Sequence, residues 1–224
     1  LTGDKRRALF GRVRGKTLRA HQTGLMRDLL PRLEVDIEAL RAGRLFAPPR
    51  ELWLEIGFGG GEHLLARAAE NPDIGFVGCE PFVNGVAKLL AGVEARGLAN
   101  IRIFADDATA LIEAAPDGAF SRIYLLYPDP WPKRRQHKRR FVSEANISAL
   151  ARVLRPGGEL RFATDIDDYA GWTLRRFLAS PLFVWSANVA EDWRTPWNGW
   201  EPTRYEAKAQ AAGRESAYLT FRRR

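Results

Sequence analysis

Apolar and polar positions follow two rhythms along this chain, and from Glu51 onward the rhythms alternate. Short apolar runs of strand length occur at Glu51–Ile56, Ile74–Cys79, Ile101–Phe104, Ser121–Tyr127 and Glu159–Thr164. Helical spacing follows each of them, predicting helices over Glu62–Glu70, Asn84–Arg96, Thr109–Ala115, Val142–Leu154 and Tyr169–Leu178. Two further strands, Leu182–Trp185 and Ser216–Arg222, lie around a loop rich in Trp and Pro. Strands spaced by helices predict an α/β fold with a mostly parallel sheet and helices on both faces. Ahead of this, residues 1–24 are basic and punctuated by Gly3, Gly11, Gly15 and Gly24, which predicts a flexible arm. Leu25–Leu40 reads as helix interrupted at Pro31, and Gly43 with Pro48–Pro49 marks the entrance to the main unit. Residues 25–224 are therefore expected to be one domain.

Composition narrows the partners. With 224 residues, 46% apolar and 11% aromatic, the chain can bury one full α/β core. No apolar run approaches the ~18 residues of a membrane span, and no apolar leader follows the basic start. Because the chain begins at Leu1 rather than Met, a few native residues are expected to precede it. Cys79 stands alone, and His21, His63 and His137 lack zinc spacing, so a metal-free protein of the reducing cytoplasm is expected. The net charge of +8 is concentrated. Residues 1–22 hold seven Lys/Arg against Asp4 alone, and residues 133–140 hold six against no acid, which exceeds the whole excess. Two cationic patches on a mildly acidic body point to a polyanion, nucleic acid above all, with a solvated charged face as the plain alternative.

The loop EIGFGGGE, Glu55–Glu62, follows the first strand and opens a helix. A dinucleotide fingerprint counted from Gly57 would need glycine at position 62, where Glu62 stands. Acids at Glu55 and Glu62 suit a cationic or zwitterionic ligand better than a pyrophosphate, which disfavours a nicotinamide enzyme. S-adenosylmethionine, with a sulfonium and an ammonium, fits that description, and Gly57 and Gly59 would let backbone approach it. Glu80 ends the second strand, where a carboxylate can accept ribose hydroxyls. Asp107 or its neighbour Asp106 can meet the adenine amino group after the third. His63 reads as a helix-surface residue and Cys79 as a small core residue.

The stretches EIGFGGG, GCEP, YPDPWPKRRQHKRR, RPGG, ATD and TRYE occur here in an order that resembles the bacterial tRNA (guanine-N7-)-methyltransferases. The likeness runs from about Glu51 to the C-terminus. The glycine loop and RPGG are common to many methyltransferases, whereas P-D-P-W-x-K followed by K-R-R, with T-x-Y-E near the end, is specific. The resemblance implies a Rossmann-like class I methyltransferase: a mostly parallel seven-stranded sheet, helices on both faces, and a C-terminal antiparallel strand pair. It implies methyl transfer from S-adenosylmethionine to guanine 46 of the tRNA variable loop by a monomer or homodimer. It further implies cofactor contacts at Glu55, Gly57, Gly59, Glu80, Asp107 and Asp129, and substrate contacts at Lys133, Asp165, Thr203, Arg204, Tyr205 and Glu206. The segment Arg135, Gln136, His137, Lys138, Arg139 and Arg140 is expected to bind tRNA. Proline at 132 departs from the family pattern and should stiffen the loop.

In such a fold the glycine loop and the Pro128–Pro130 turn face each other where strand order reverses. Asp129, held between two prolines, is then the candidate catalytic residue. Guanine N7 carries a lone pair and loses no proton on methylation, so positioning and stabilisation of the cationic purine are the expected role. Guanine presents N1–H and N2–H donors together, and Glu206 or Asp165 could accept both. Trp131 is a candidate base stacker, while Trp193, Trp197 and Trp200 read as packing. The alternatives are an exocyclic-amine methyltransferase, disfavoured because Pro-Trp-Pro follows Asp129, and a non-catalytic RNA-binding module, disfavoured by the intact acids.

Overall fold

The computed structural model describes residues 13–224. Three short helices come first: α1 (Ala20–Asp28), α2 (Leu30–Leu33) and α3 (Ile37–Arg41). Pro31 sits in the first turn of α2, where a missing N–H costs nothing, and this breaks the predicted Leu25–Leu40 helix. The Asp36 side chain caps α3 by accepting the Glu38 and Ala39 amides. The alternating unit follows as β1 (Leu52–Ile56), α4 (Glu62–Glu70), β2 (Gly75–Cys79), α5 (Val83–Arg96), β3 (Ile101–Phe104), α6 (Ala108–Ala114) and β4 (Phe120–Leu126). A 3-10 helix, Arg134–Arg139, precedes α7 (Glu144–Val153), β5 (Leu154–Thr164) and α8 (Asp167–Ala179). The chain closes with β6 (Phe183–Trp185), α9 (Glu191–Arg194), α10 (Arg204–Ala211) and β7 (Ala217–Arg223).

The seven strands lie in the order β3-β2-β1-β4-β5-β7-β6. Strands β1 to β5 are parallel, and β7 runs antiparallel to both β5 and β6. The order reverses between β1 and β4, which opens a crevice at their carboxyl ends. Along β1, Leu54 and Ile56 enter one core with Val77, Leu111, Leu150 and Phe162. Trp53 packs on the opposite face, against the core of Leu64, Phe76, Leu89 and Ile101. The two faces are therefore filled by different helices, as a sheet covered on both sides requires.

Two boundaries differ from the sequence expectation. β5 begins at Leu154, which pairs with Phe120, and the ladder then slips before Arg122 meets Glu159. The slip accommodates Arg155–Gly158, with Gly157 in the left-handed region (φ 74°). Within the expected arm of residues 1–24, the described part from residue 13 onward is packed on the domain. Residues 13–16 lie against the start of α5, and α1 packs on α5 with His21 Nε2 2.7 Å from Glu94. Residues 1–12 of that arm fall outside the described residues.

Candidate functional site

Three left-handed glycines shape the loop after β1: Gly57, Gly59 and Gly61, with φ of 72°, 56° and 79°. At Gly59 a side chain would be strained and would crowd Arg204 and Tyr205 from across the crevice. At Gly85, in the first turn of α5, a Cβ would overlap the Gly59 carbonyl, so only glycine allows helix and loop to meet. The Gly57 amide donates to the Cys79 carbonyl at 2.8 Å, joining the loop to the end of β2.

Glu80 spans the next gap. Its Oε2 accepts the Gly59 amide at 2.7 Å and its Oε1 accepts the Phe82 amide at 2.9 Å. Burial pushes this carboxyl above its ordinary range, and the two amides pull the other way. Asp107 caps α6 by accepting the Thr109 amide at 2.7 Å and lines the crevice, whereas Asp106 is exposed and accepts the Asp107 amide. Of the two, only Asp107 lines the crevice.

The opposite wall is the turn after β4. Tyr127 and Trp131, both bulky, hold φ of 47° and 44°, on either side of Pro128-Asp129-Pro130. Each such conformation costs on the order of 1–3 kcal/mol and persists only where its surroundings dictate it. The Tyr127 amide donates to Ala163 at 2.8 Å, and its hydroxyl lies 2.9 Å from Ser216 Oγ. Burial raises the Tyr127 phenol to about 12, so it stays neutral. Arg140 Nε donates to the Pro130 carbonyl at 2.8 Å and fixes the far end. Asp129 itself stands at the crevice mouth, accepting no hydrogen bond and forming no ion pair among the described residues. Protein crowding still raises its carboxyl by desolvation, although much of its surface remains accessible.

Between these walls lies a crevice of about 420 Å³ lined by Glu80, Asp107 and Asp129, with Arg204 the single cation among the described lining residues. An acid-lined cleft of this size suits an uncapped cationic ligand and repels a pyrophosphate. Arg204 and Tyr205 open α10 and cover the mouth. The Tyr205 ring lies 18° from parallel to Tyr127 with centroids 6.3 Å apart.

Five expectations require correction. Glu55 does not line the crevice: it is buried at 4% exposure with its Oε2 2.7 Å from His63 Nδ1. His63 is buried too, not a helix-surface residue, and its ring packs on Tyr124 and Trp200. Glu206 is turned away from the mouth. At 4% exposure, it accepts Trp200 Nε1 at 2.6 Å on one oxygen and the Tyr218 hydroxyl on the other, and it is absent from the crevice lining. Thr203 is buried and accepts the Glu206 amide at 3.2 Å, capping α10. T-x-x-E is itself a helix-start pattern, a signal that could have placed this motif's outer pair inside the fold.

Arg140 is the fifth correction. It is 1% exposed, between the rings of Tyr169 and Trp172 with its guanidinium carbon 4.9 Å from each centroid, and it pairs with Asp168. In a 3-10 helix, positions three apart eclipse. His137, three residues before Arg140, accordingly faces the same way, 3.7 Å from Asp168 and against Trp172. Gln136 is half-buried; Arg135 and Lys138 are exposed. Arg139 lies over Trp131 at 4.9 Å. Lys133 is exposed just before the turn, and Asp165 holds Arg214 Nε at 2.8 Å. The sequence reading missed the supports His63, Arg67, Asp168 and Tyr218. Arg67 donates to the carbonyls of Asn198 and Gly199, holding the loop that carries Trp200. Trp197 and Trp200 pack beside Tyr124 and Tyr218, in keeping with the packing role read for them.

Among the described residues no cluster of side chains could hold a metal ion, and no helix is long and apolar enough to cross a membrane. A family model described as "Putative methyltransferase" matches residues 49–219. A tRNA (guanine-N(7)-)-methyltransferase of Chelativorans sp. (strain BNC1) is 55% identical over 96% of this chain and 94% of its own length. The enzyme of the same name from Agrobacterium fabrum is 53% identical over 97% and 95%. Among solved structures, the 16S rRNA methyltransferase KamB superposes with TM-score 0.54 at 16% identity, over 83% of this chain and 91% of its own. The antibiotic-resistance methyltransferase Kmr gives 0.51 at 19%, over 84% and 92%. These two likenesses speak to the fold.

Proposed function

The chain belongs to the tRNA (guanine-N7-)-methyltransferase family, and from that premise we propose that it methylates guanine 46 in the tRNA variable loop, as a cytoplasmic monomer or homodimer. S-adenosylmethionine is the donor and supplies an electrophilic methyl on sulfur. The observation that supports this reading best is the acid-lined crevice at the strand-order switch, with Asp129 across from the glycine loop. The residues present fit such a donor. Space beside Gly57 is open, Glu80 offers a desolvated carboxylate, and Asp107 follows β3, with no cluster of cations among the described lining residues such as a pyrophosphate would need. Gly57, Gly59, Glu80 and Asp107 would hold the cofactor.

Guanine N7 attacks with its own lone pair, so the protein needs no general base. Asp129 has two tasks: it stands at the reacting centre on a strained, doubly anchored turn, and its charge stabilises the positive purine that forms. Fixing the carboxylate before the reaction avoids a reorganisation cost during it. Tyr205 and Arg204 close the mouth over the base, and with Glu206 committed to Trp200 and Tyr218, Asp165 is the remaining acid of the implied substrate set for the guanine edge. Lys133, Arg135 and Lys138 hold phosphates beside the turn. Incubating bulk tRNA with labelled donor, then digesting and mapping by mass spectrometry, tests the reading. N7-methylguanosine in the variable loop is expected, and methyl label on an exocyclic amine or outside that loop would refute it.

A further inference from the structure

Residues 13–16 are seated on the start of α5 beside Phe82, which lines the crevice, and they are absent from the crevice lining itself. They are not loosely laid down. Asn84, in the first turn of α5, accepts the Gly15 amide at 2.7 Å and donates to the Lys16 carbonyl at 2.6 Å. The Val83 amide donates to the Val13 carbonyl at 3.0 Å. At Gly15 any Cβ would stand 2.8 Å from Asn84 Oδ1 and from the Phe82 ring, so the seat is cut for glycine. Phe82 also lines the crevice, on the β2 side, whereas the Asp129 turn lines it on the β4 side.

The segment carries Arg14, Lys16 and Arg19, all exposed. No carboxylate among the described residues forms an ion pair with them, and Glu94 on α5 is taken by His21. A solubility charge needs no built seat, and a tail that works by charge alone gains nothing from a side chain gripping two consecutive residues. We propose that residues 13–19 are a fixed phosphate-binding rail for tRNA, one bank of a cleft whose other bank is the Arg135–Lys138 face. This rests on the tRNA substrate proposed above. Held on both sides by phosphates, the variable loop would be centred over Asp129 and the glycine loop. The contacts carry no sequence information and act on affinity and placement.

Two variants test it by tRNA binding across a salt series, with S-adenosylhomocysteine affinity and a melting curve as folding controls. The triple variant Arg14→Ala/Lys16→Ala/Arg19→Ala should flatten the plot of log K against log salt by roughly 2 units. Asn84→Ala keeps every charge yet frees the segment, and should weaken tRNA binding about five- to tenfold with cofactor affinity within about twofold. A triple variant with the wild-type slope would overturn the rail. So would Asn84→Ala binding tRNA like wild type, since placement would then not matter. Failure of the wild-type protein to bind tRNA at all would instead refute the substrate assignment, so the two failures are distinguishable.

Discussion

Replacing Arg140 tests whether the cationic run is one patch or two functions. The side chain is buried and makes a hydrogen bond to Pro130, a pair with Asp168, and contacts with two aromatic faces. In Arg140→Ala the Pro130 carbonyl loses a charge-assisted partner, about 1.5–3 kcal/mol. Each cation–π contact adds about 0.5–1 kcal/mol. Asp168 is 58% exposed and rehydrates, so breaking that pair contributes about 0–1 kcal/mol. Backbone relaxation around the gap recovers part of the total, leaving a loss of about 2–4 kcal/mol. For a domain of this size each kcal/mol is worth about 2–4 °C, so Tm should fall by roughly 4–16 °C.

The salt dependence of tRNA binding should not change in this variant, because Arg140 faces no solvent. Arg135→Ala/Lys138→Ala should do the reverse: an unaltered Tm and a slope flatter by roughly 1–2 units. Arg140→Lys is not a conservative rescue, since an ammonium cannot reach Pro130 and Asp168 in one plane while lying flat between two rings. Thermal melts and filter binding at four or five salt concentrations decide the matter. An Arg140→Ala protein that melted like wild type and lost salt slope would make Arg140 a phosphate contact and sink the argument.

Glu206→Gln should keep kcat/KM within about threefold, since the amide oxygen can face Trp200 and the Tyr218 hydroxyl can rotate to accept; Glu206→Ala, which orphans both donors, should lower Tm by several degrees. A large kcat/KM loss in the Gln variant at unchanged Tm would restore a guanine-reading role. Asp129→Ala should cut the single-turnover rate far more than tRNA affinity, and a normal rate would remove Asp129 from the reaction. Asp129→Asn adds a pH test. Burial raises this carboxyl, so the folded state takes up its proton before the unfolded state does, and wild-type stability falls as pH rises from the ordinary carboxylate range through the raised folded value. The Asn variant should therefore melt slightly higher than wild type at pH 7, with the difference fading toward pH 3; an equal or lower Tm at pH 7 would contradict the desolvation. His63→Ala should loosen the glycine loop and weaken S-adenosylhomocysteine binding, because the Glu55–His63 pair joins the two ends of that loop; unchanged binding calorimetry would rule this out.

The strand–helix alternation was legible because buried parallel strands and amphipathic helices impose different periods on the same chain. The prolines around Asp129 likewise announced a fixed turn. What stayed hidden depends on partners far along the chain. Arg140 looks like its five cationic neighbours until Asp168, 28 residues later, and the rings of α8 are placed beneath it. Glu206 shares its tetrapeptide with the mouth-lining Arg204 and Tyr205, and only the positions of Trp200 and Tyr218 decide that it points inward. Leu154 opens β5 although Pro156, Gly157 and Gly158 follow it, because the ladder bulges around them rather than stopping. His63 carries a polar side chain on a helix, and its burial follows from Glu55 reaching it across the glycine loop.

The strain in the Asp129 turn explains why the carboxylate and the cationic run are contiguous. Tyr127 and Trp131 hold conformations that a free loop would relax, at a combined cost of a few kcal/mol. Some structure must offset that cost at each end. At the first end the support is the Tyr127 amide on Ala163 and its hydroxyl at Ser216; at the second it is Arg140 on Pro130. Because Arg140 also ends the 3-10 helix, the side chain that fixes the turn fixes the outward face carrying Arg135 and Lys138. If Arg135 and Lys138 hold phosphate as proposed, their distance from Asp129 is set by one rigid segment rather than by two independent loops. A binding face that moved relative to Asp129 would hold tRNA equally well and methylate it poorly, since misplacement by about 1 Å costs on the order of a hundredfold in rate. On the proposed function, burying one arginine of the run would give up one phosphate contact and keep the others in register with Asp129.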